Sequence, residues 1–233
     1  GKLQLLKSAV IYGANASGKT NLFKGIGFFR NFILNSSKDS QVTEEIPIIP
    51  FKLDDETIKQ PSFFEIIFVQ DGVRYRYGFQ ANRKEIHREW LFYVPKTKET
   101  KLFVREGNNF DIGTHFKEGT GLEEKTRKNS LFLSVVAQFN GKMATNILKW
   151  FKIFNIISGL FDQGYLNYTI QRIADKDYKE KILALLKHAD FGIEDVTVKN
   201  TPIQSDNLPK DMPDYLKSFI SSTCKEIINI DIS

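Results

Sequence analysis

Residues 13–20, Gly13-Ala14-Asn15-Ala16-Ser17-Gly18-Lys19-Thr20, restrict the fold of this chain more than any other stretch. They fit G-x-x-x-x-G-K-[ST], the phosphate-binding P-loop. Gly13 and Gly18 let the backbone turn sharply and approach the phosphates, where a Cβ would clash. Successive amide N–H groups then form a concave anion site. Lys19 brings a positive charge to the β- and γ-phosphates, and the Thr20 hydroxyl suits one position on Mg²⁺.

A loop of this kind follows a buried strand and opens a helix. Ala9-Val10-Ile11-Tyr12 is a short apolar run, which predicts a parallel strand covered on both faces. After Thr20, the apolar residues Leu22, Phe23, Ile26, Phe29 and Ile33 recur at helical spacing. The predicted helix starts at the loop and directs its positive dipole end at the phosphates. Asn35-Ser36-Ser37-Lys38-Asp39-Ser40 reads as the polar break that ends it.

Farther on the period changes from helical to alternating. Ser62–Val69 is rich in β-formers, Asp71-Gly72 is a two-residue hairpin signal, and Val73–Phe79 alternates apolar with polar side chains. With residues 85–93 and 101–105, this predicts an antiparallel sheet over 61–105 with one wet face. Phe51-Lys52-Leu53 reads as a short strand, and the polar stretch from Glu106 to Lys128 as a loop. From Ser130 the pattern is helical again, through Ile147, Leu148 and Phe151 and later Ile182 to Leu186. Residues 193–198 read as a strand and 215–224 as a further helix.

The string GANASGKTNL resembles the loops of ABC, SMC and related DNA-repair ATPases, and most closely those of RloA-like bacterial AAA-family ATPases. In that pattern a glycine stands where this chain has Ala16, so the turn is expected to form there without positive φ. Further segments similar to this family follow in order, among them Tyr75–Phe79, Glu89-Trp90-Leu91, Leu102–Arg105, Ser130–Ser134 and Ala189–Asp195. The resemblance spans most of residues 5–198. It implies an α/β fold, the N-terminal part of an ABC/SMC-like P-loop NTPase, with an antiparallel β-subdomain and a helical region. The implied division is a P-loop strand, loop, helix and connection over 1–56, the β-subdomain over 57–115, and a mainly helical region over 116–233. ATP and Mg²⁺ are the implied cofactors, with Gly13, Ala14, Asn15, Ala16, Ser17, Gly18, Lys19, Thr20 and Asn21 around the phosphates. Thr20 is the implied Mg²⁺ ligand, joined by Gln138, since ABC-type heads place a Gln between the sheet and the helical region on Mg²⁺ and the γ-phosphate. The resemblance also implies head-to-head homodimerisation around ATP, a nuclease or toxin effector as partner, and a role in phage defence.

The second half of such a site needs a buried apolar strand ending in Asp-Glu. Glu65–Asp71 runs into Gly72 and reads as a hairpin arm. In Glu226–Asp231 the run is interrupted by Asn229 and followed by Ile232, so Asp231 reads as part of an edge strand or tail. Ile157-Ser158-Gly159-Leu160 carries the letters of the family's γ-phosphate signature, but in an apolar stretch that reads as core and turn. The catalytic carboxylates are therefore expected beyond this chain, whose end at Ser233 is expected not to be a natural terminus. Two other readings share the loop, a nucleotide-sensing scaffold that does not hydrolyse ATP and a small-molecule P-loop kinase.

Composition narrows the class further. Hydrophobic residues make up 41% of 233, enough for a sizeable core, and a single cysteine excludes an internal disulfide. A reducing, cytoplasmic location without a membrane span is expected. His87, His115 and His188 have no metal-ligand spacing. The net charge of +5 is compatible with a nucleic-acid partner without requiring one, and Arg74, Arg76, Arg83, Lys84 and Arg88 are the residues that would make a basic sheet face.

Overall fold

A computed structural model describes residue 5 and residues 8–39, 44–50, 54–157, 163–190, 192–202, 212–217 and 226–232. The chain divides into two compact units, Gly1–Ile156 and Ile157–Ser233.

Five strands form the frame of the first unit: β1 (Ser62–Gln70), β2 (Val73–Ala81), β3 (Ile86–Val94), β4 (Thr100–Glu106) and β5 (Asn109–Ile112). They pair in sequence order as an antiparallel meander. The first turn is the one predicted. Asp71 and Gly72 both have positive φ, 51° and 76°, which a two-residue turn needs to match strand twist. Asn146 Nδ2 donates to Asp71 Oδ2 at 2.7 Å and fixes the turn from outside.

One face of this sheet carries the core. Phe64 on β1, Tyr77 and Phe79 on β2, Leu91 on β3 and Phe103 on β4 lie across from one another in register. Three helices meet this face: α1 (Lys19–Asp39), α3 (Phe132–Gln138) and α4 (Lys142–Ile153). The short α2 (Asp55–Lys59) precedes β1, and Asp54 caps it by accepting from the amides of Glu56 and Thr57. Phe29 of α1 stacks on Phe64 and Phe79, and Phe151 of α4 meets Phe29, Phe68 and Tyr77. Phe132 of α3 fills the other end against Phe103, Phe110 and Phe116.

The core also holds charge. Glu89 of β3 and Arg105 of β4 are fully buried on the helix-facing side, opposite each other in register. Glu89 accepts the amides of Phe132 (2.7 Å) and Leu133 (3.0 Å), the first turn of α3, and the hydroxyl of Tyr77 (2.9 Å). Leu131, at the N-cap position of α3, offers no side-chain cap, so the strand supplies what the helix lacks. Arg105 donates to the carbonyls of Gly107, Arg127 and Ser130. Burial pushes the Glu89 carboxyl above the usual carboxylate range, opposed by Arg105, the two amides and Tyr77. Burial likewise lowers the Arg105 guanidinium.

The opposite face is wet, as expected, and carboxylates pair with several of its basic side chains. Arg76 pairs with Glu65 and Glu99, Arg88 with Glu106, and Arg83 with Glu45. Arg83 and Lys84 lie in the β2–β3 turn, off the strands. Trp90 lies flat over Gly78 on this face. A Cβ at Gly78 would come within 2.5 Å of the indole and 2.6 Å of the Phe64 carbonyl, so glycine is needed here for space.

Several expectations need correction. Helix α1 does not break at Asn35; it continues to Asp39 with Ser36 and Ser37 buried. Ser36 Oγ accepts the Leu131 amide, the Ser130 hydroxyl donates to the Ser36 carbonyl, and Ser37 and Ser134 share a hydroxyl pair at 2.9 Å. Those partners, contributed by residues 130–134, turn a polar run into an internal seam. The stretch 106–128 is not all loop, since it contains β5 and a 3₁₀ turn over Thr114–Gly119. Residues 51–53 lie outside the described residues.

In the second unit, α5 (Gln163–Ile173) and α6 (Lys176–His188) precede a two-stranded antiparallel sheet of β6 (Val196–Pro202) and β7 (Glu226–Ile232). Asp175 caps α6 by accepting from the Asp177 amide at 3.0 Å. The predicted strand at 193–198 begins later, at Val196. Of the helix predicted over 215–224, residues 215–217 are helical and 218–224 lie outside the described residues, as do 158–162 with the Ser158-Gly159 pair.

Candidate functional site

The loop of residues 13–18 ends where α1 begins. Ser17 N–H donates to the Ala14 carbonyl at 3.3 Å and Leu22 N–H to the Gly18 carbonyl at 3.0 Å, so the loop closes into the first helical turn. The amides at the start of a helix have no partner within it, and the first turn of α1 contains no acidic residue to occupy them. The cradle is glycine-dependent at two points for different reasons. A Cβ on Gly13 would lie 2.8 Å from Ser17 Oγ, whereas Gly18 has open space but a φ of +89°.

Ala16 overturns one expectation. Its φ is +62°, so the alanine adopts the left-handed conformation that a glycine would take freely. For an alanine this costs roughly 1–2 kcal/mol. Ala16→Gly is therefore expected to raise stability, or affinity for a phosphate ligand, by about 1 kcal/mol. Thermal unfolding with and without nucleotide checks this, and a lower melting temperature in both conditions would refute it.

Lys19 donates from Nζ to the carbonyls of Gly13 and Ala14, each at 2.6 Å, and reaches Ser17 Oγ at 3.5 Å. The ammonium is thus already held over the loop, on the side where phosphate oxygens would replace the carbonyls as acceptors. Thr20 and Asn21 stand exposed on the first turn.

Two sequence expectations fail to join this loop. Residues 9–12 form no strand: Val10, Ile11 and Tyr12 are 73%, 40% and 87% exposed. No strand of the five-stranded sheet pairs with residues 9–12, and each of its pairings is within its own antiparallel meander. Gln138 is exposed at the C-terminal end of α3. The polar contacts of α3 to α1 fall at Ser36 and Ser37, about 25 Å along the helix from Lys19. No hydrogen bond among the described residues links Gln138 to the loop. Asp231 pairs with Thr197 in the β6–β7 ladder, in the other unit. Among the described residues no group of three or more His, Cys, Asp or Glu is placed to hold a metal.

Sequence reasoning missed what holds α1 at its middle. Arg30 donates to the carbonyls of Phe151 (2.8 Å) and Lys152 (3.0 Å) at the end of α4. With the serine seam, it anchors the helix that carries the loop. Nothing in the local sequence around Arg30 announces a partner 121 residues away.

Residues 8–211 match the family model described as AAA domain, putative AbiEii toxin, type IV TA system. The chain belongs to this AAA family. Comparison of the chain with curated proteins and with solved structures found no match. Membership makes the chain an AAA-type ATPase domain, a class that uses a nucleotide and ordinarily Mg²⁺. The donor set of this AAA domain fits such a ligand. It consists of an anion cradle that a Cβ would fill, a lysine above it, and the Thr20 hydroxyl for the metal. Among the described residues no helix is long and apolar enough to cross a membrane.

Proposed function

We propose that this AAA domain is the ATP-binding head of an SMC/ABC-like ATPase of the RloA-like kind, which dimerises around ATP and Mg²⁺ and thereby regulates an effector, a nuclease or toxin, in phage defence. The observation that carries the reading is the one-sidedness of the phosphate loop. Residues 13–18 and Thr20 are all exposed at the free end of α1. A nucleotide seated there would be held from below by amides and Lys19, and its outer side would remain available to a second head. The toxin–antitoxin wording of the family description supports the defensive role.

In this reading Lys19 exchanges its two carbonyl acceptors for phosphate oxygens, and the amides of the first helical turn take the remaining negative charge. The Thr20 hydroxyl would hold Mg²⁺ from the protein side, with Gln138 as the second residue that the resemblance assigns to the ion. Mg²⁺ at this position would supply positive charge to offset that of the phosphates.

Sedimentation in ATP and Mg²⁺ tests the proposal. The wild type should shift from monomer to dimer on adding nucleotide, and Lys19→Ala should remain monomeric, with nucleotide affinity reduced at least about a hundredfold, or roughly 2.7 kcal/mol. Identical sedimentation of the wild type with and without ATP would overturn head dimerisation. Unchanged nucleotide affinity in Lys19→Ala would overturn the site itself.

A further inference from the structure

On the wet face of the sheet, Arg76, Arg88 and Lys101 each meet a carboxylate. The lysines of α4 do not. This helix, KMATNILKWFKI, holds three lysines and no acidic residue. Lys142, Lys149 and Lys152 are all exposed, and none of them pairs with a carboxylate among the described residues. Two carboxylates that reach α4 are engaged otherwise. Glu118 accepts the amides of Met143 and Ala144, and Asp71 accepts from the Asn146 side chain.

The exposed positions of α4 are Lys142, Thr145, Lys149, Lys152 and Ile153. At the helical repeat they fall within an arc of about 100° and run about 15 Å along the axis. Opposite this arc, Ala144, Ile147 and Phe151 are buried in the core. Helix stability accounts for Lys152, in the last turn, where a positive charge favours the dipole. It does not account for Lys142, at the first helical position, where the same charge opposes the dipole. Nor does it account for Lys149, which has no acidic residue three or four positions away and is repelled by Lys152.

A polyanion with its charges in a row answers this arrangement. One strand of a duplex places about four phosphates over the length of the face. The Thr145 hydroxyl, between the lysines, suits a further phosphate oxygen. Other partners fit less well. A helix lying on a membrane needs a free apolar face, and that of α4 is in the core. A protein interface is poor in lysine and rich in aromatic residues and arginine. A single strand stacks its bases on open rings, whereas Trp150 and Phe151 lie against Phe68 and each other. We infer that the exposed face of α4 binds duplex nucleic acid along its phosphate backbone, without reading base sequence. The face shares no residue with the phosphate loop.

Fluorescence anisotropy with a labelled random-sequence DNA duplex, at low salt and without nucleotide, tests this. The wild type should bind saturably. The triple variant Lys142→Gln, Lys149→Gln, Lys152→Gln should bind at least about tenfold more weakly. Its slope of log affinity against log salt should be shallower by about 2.7, three phosphate contacts at about 0.9 each. The matching Lys→Arg triple keeps the charges and should keep the binding. A control triple, Lys84→Gln, Lys96→Gln, Lys98→Gln, changes the net charge equally at exposed lysines of the sheet turns, and should stay within about twofold of the wild type. Thermal unfolding of all three variants checks that they fold. No binding by the wild type, or equal loss in the two Gln triples, overturns the inference. Tighter binding of a single strand or of polyglutamate than of the duplex overturns it as well. Because no nucleotide is added, failure of the nucleotide reading would leave the result standing.

Discussion

Replacing Glu89 by Ala is expected to destabilise the first unit by about 3–5 kcal/mol, the range for removing one partner of a buried pair. Three consequences add together. The amides of Phe132 and Leu133 lose their acceptor at the start of α3, the Tyr77 hydroxyl is stranded, and Arg105 keeps its charge in the core without a counterion. Arg105 would still donate to the Gly107, Arg127 and Ser130 carbonyls, which fixes the guanidinium in place and prevents its escape to solvent. Urea unfolding gives the number. A double variant, Glu89→Ala with Arg105→Met, should be less destabilised than the sum of the two single changes, because the uncompensated charge is gone. A loss below about 1 kcal/mol in the single variant would mean that α3 is held by packing alone.

Phe29→Ala is expected to cost about 3–5 kcal/mol, the usual range for a buried phenylalanine. Phe29 is 5% exposed and its ring meets Phe64, Tyr77, Phe79 and Phe151, which belong to β1, β2 and α4. Few side chains here touch so many elements, so the space left behind cannot be closed by one neighbour moving. The lowered urea midpoint should be accompanied by a preserved denaturant slope, the mark of lost stability without a change in the denatured state. A cost under about 1.5 kcal/mol would show that the neighbouring aromatic rings can repack into the space.

What the sequence disclosed follows the range of the forces involved. The Asp71-Gly72 turn, the alternation of Val73–Phe79 and the start of α1 at the loop are local, and each was readable from adjacent residues. Where a residue answers to a distant partner, the reading failed. Ser36 and Ser37 look like a helix stop until residues 130–134 are brought against them. Glu89 and Arg105 look like solvated strand charges, and only the pleat of two paired strands shows that both point into the core. The short β5 was lost because Asn109–Ile112 alternates over only four residues. In the site, the glycines, Lys19 and Thr20 were legible from spacing. The conformation of Ala16 was not, since a side chain that disfavours positive φ conceals the need for it.

The loop and the helix that follows it obey different rules. At Gly13, Ala16 and Gly18 what matters is backbone angle and room for a Cβ, while at Phe29, Phe32 and Ile33 within α1 what matters is side-chain volume. Random substitution would therefore leave two distinct footprints on one stretch of chain. The early positions would tolerate little beyond the smallest residues, whatever their polarity. The later ones would exchange freely among large apolar residues and reject small or charged ones.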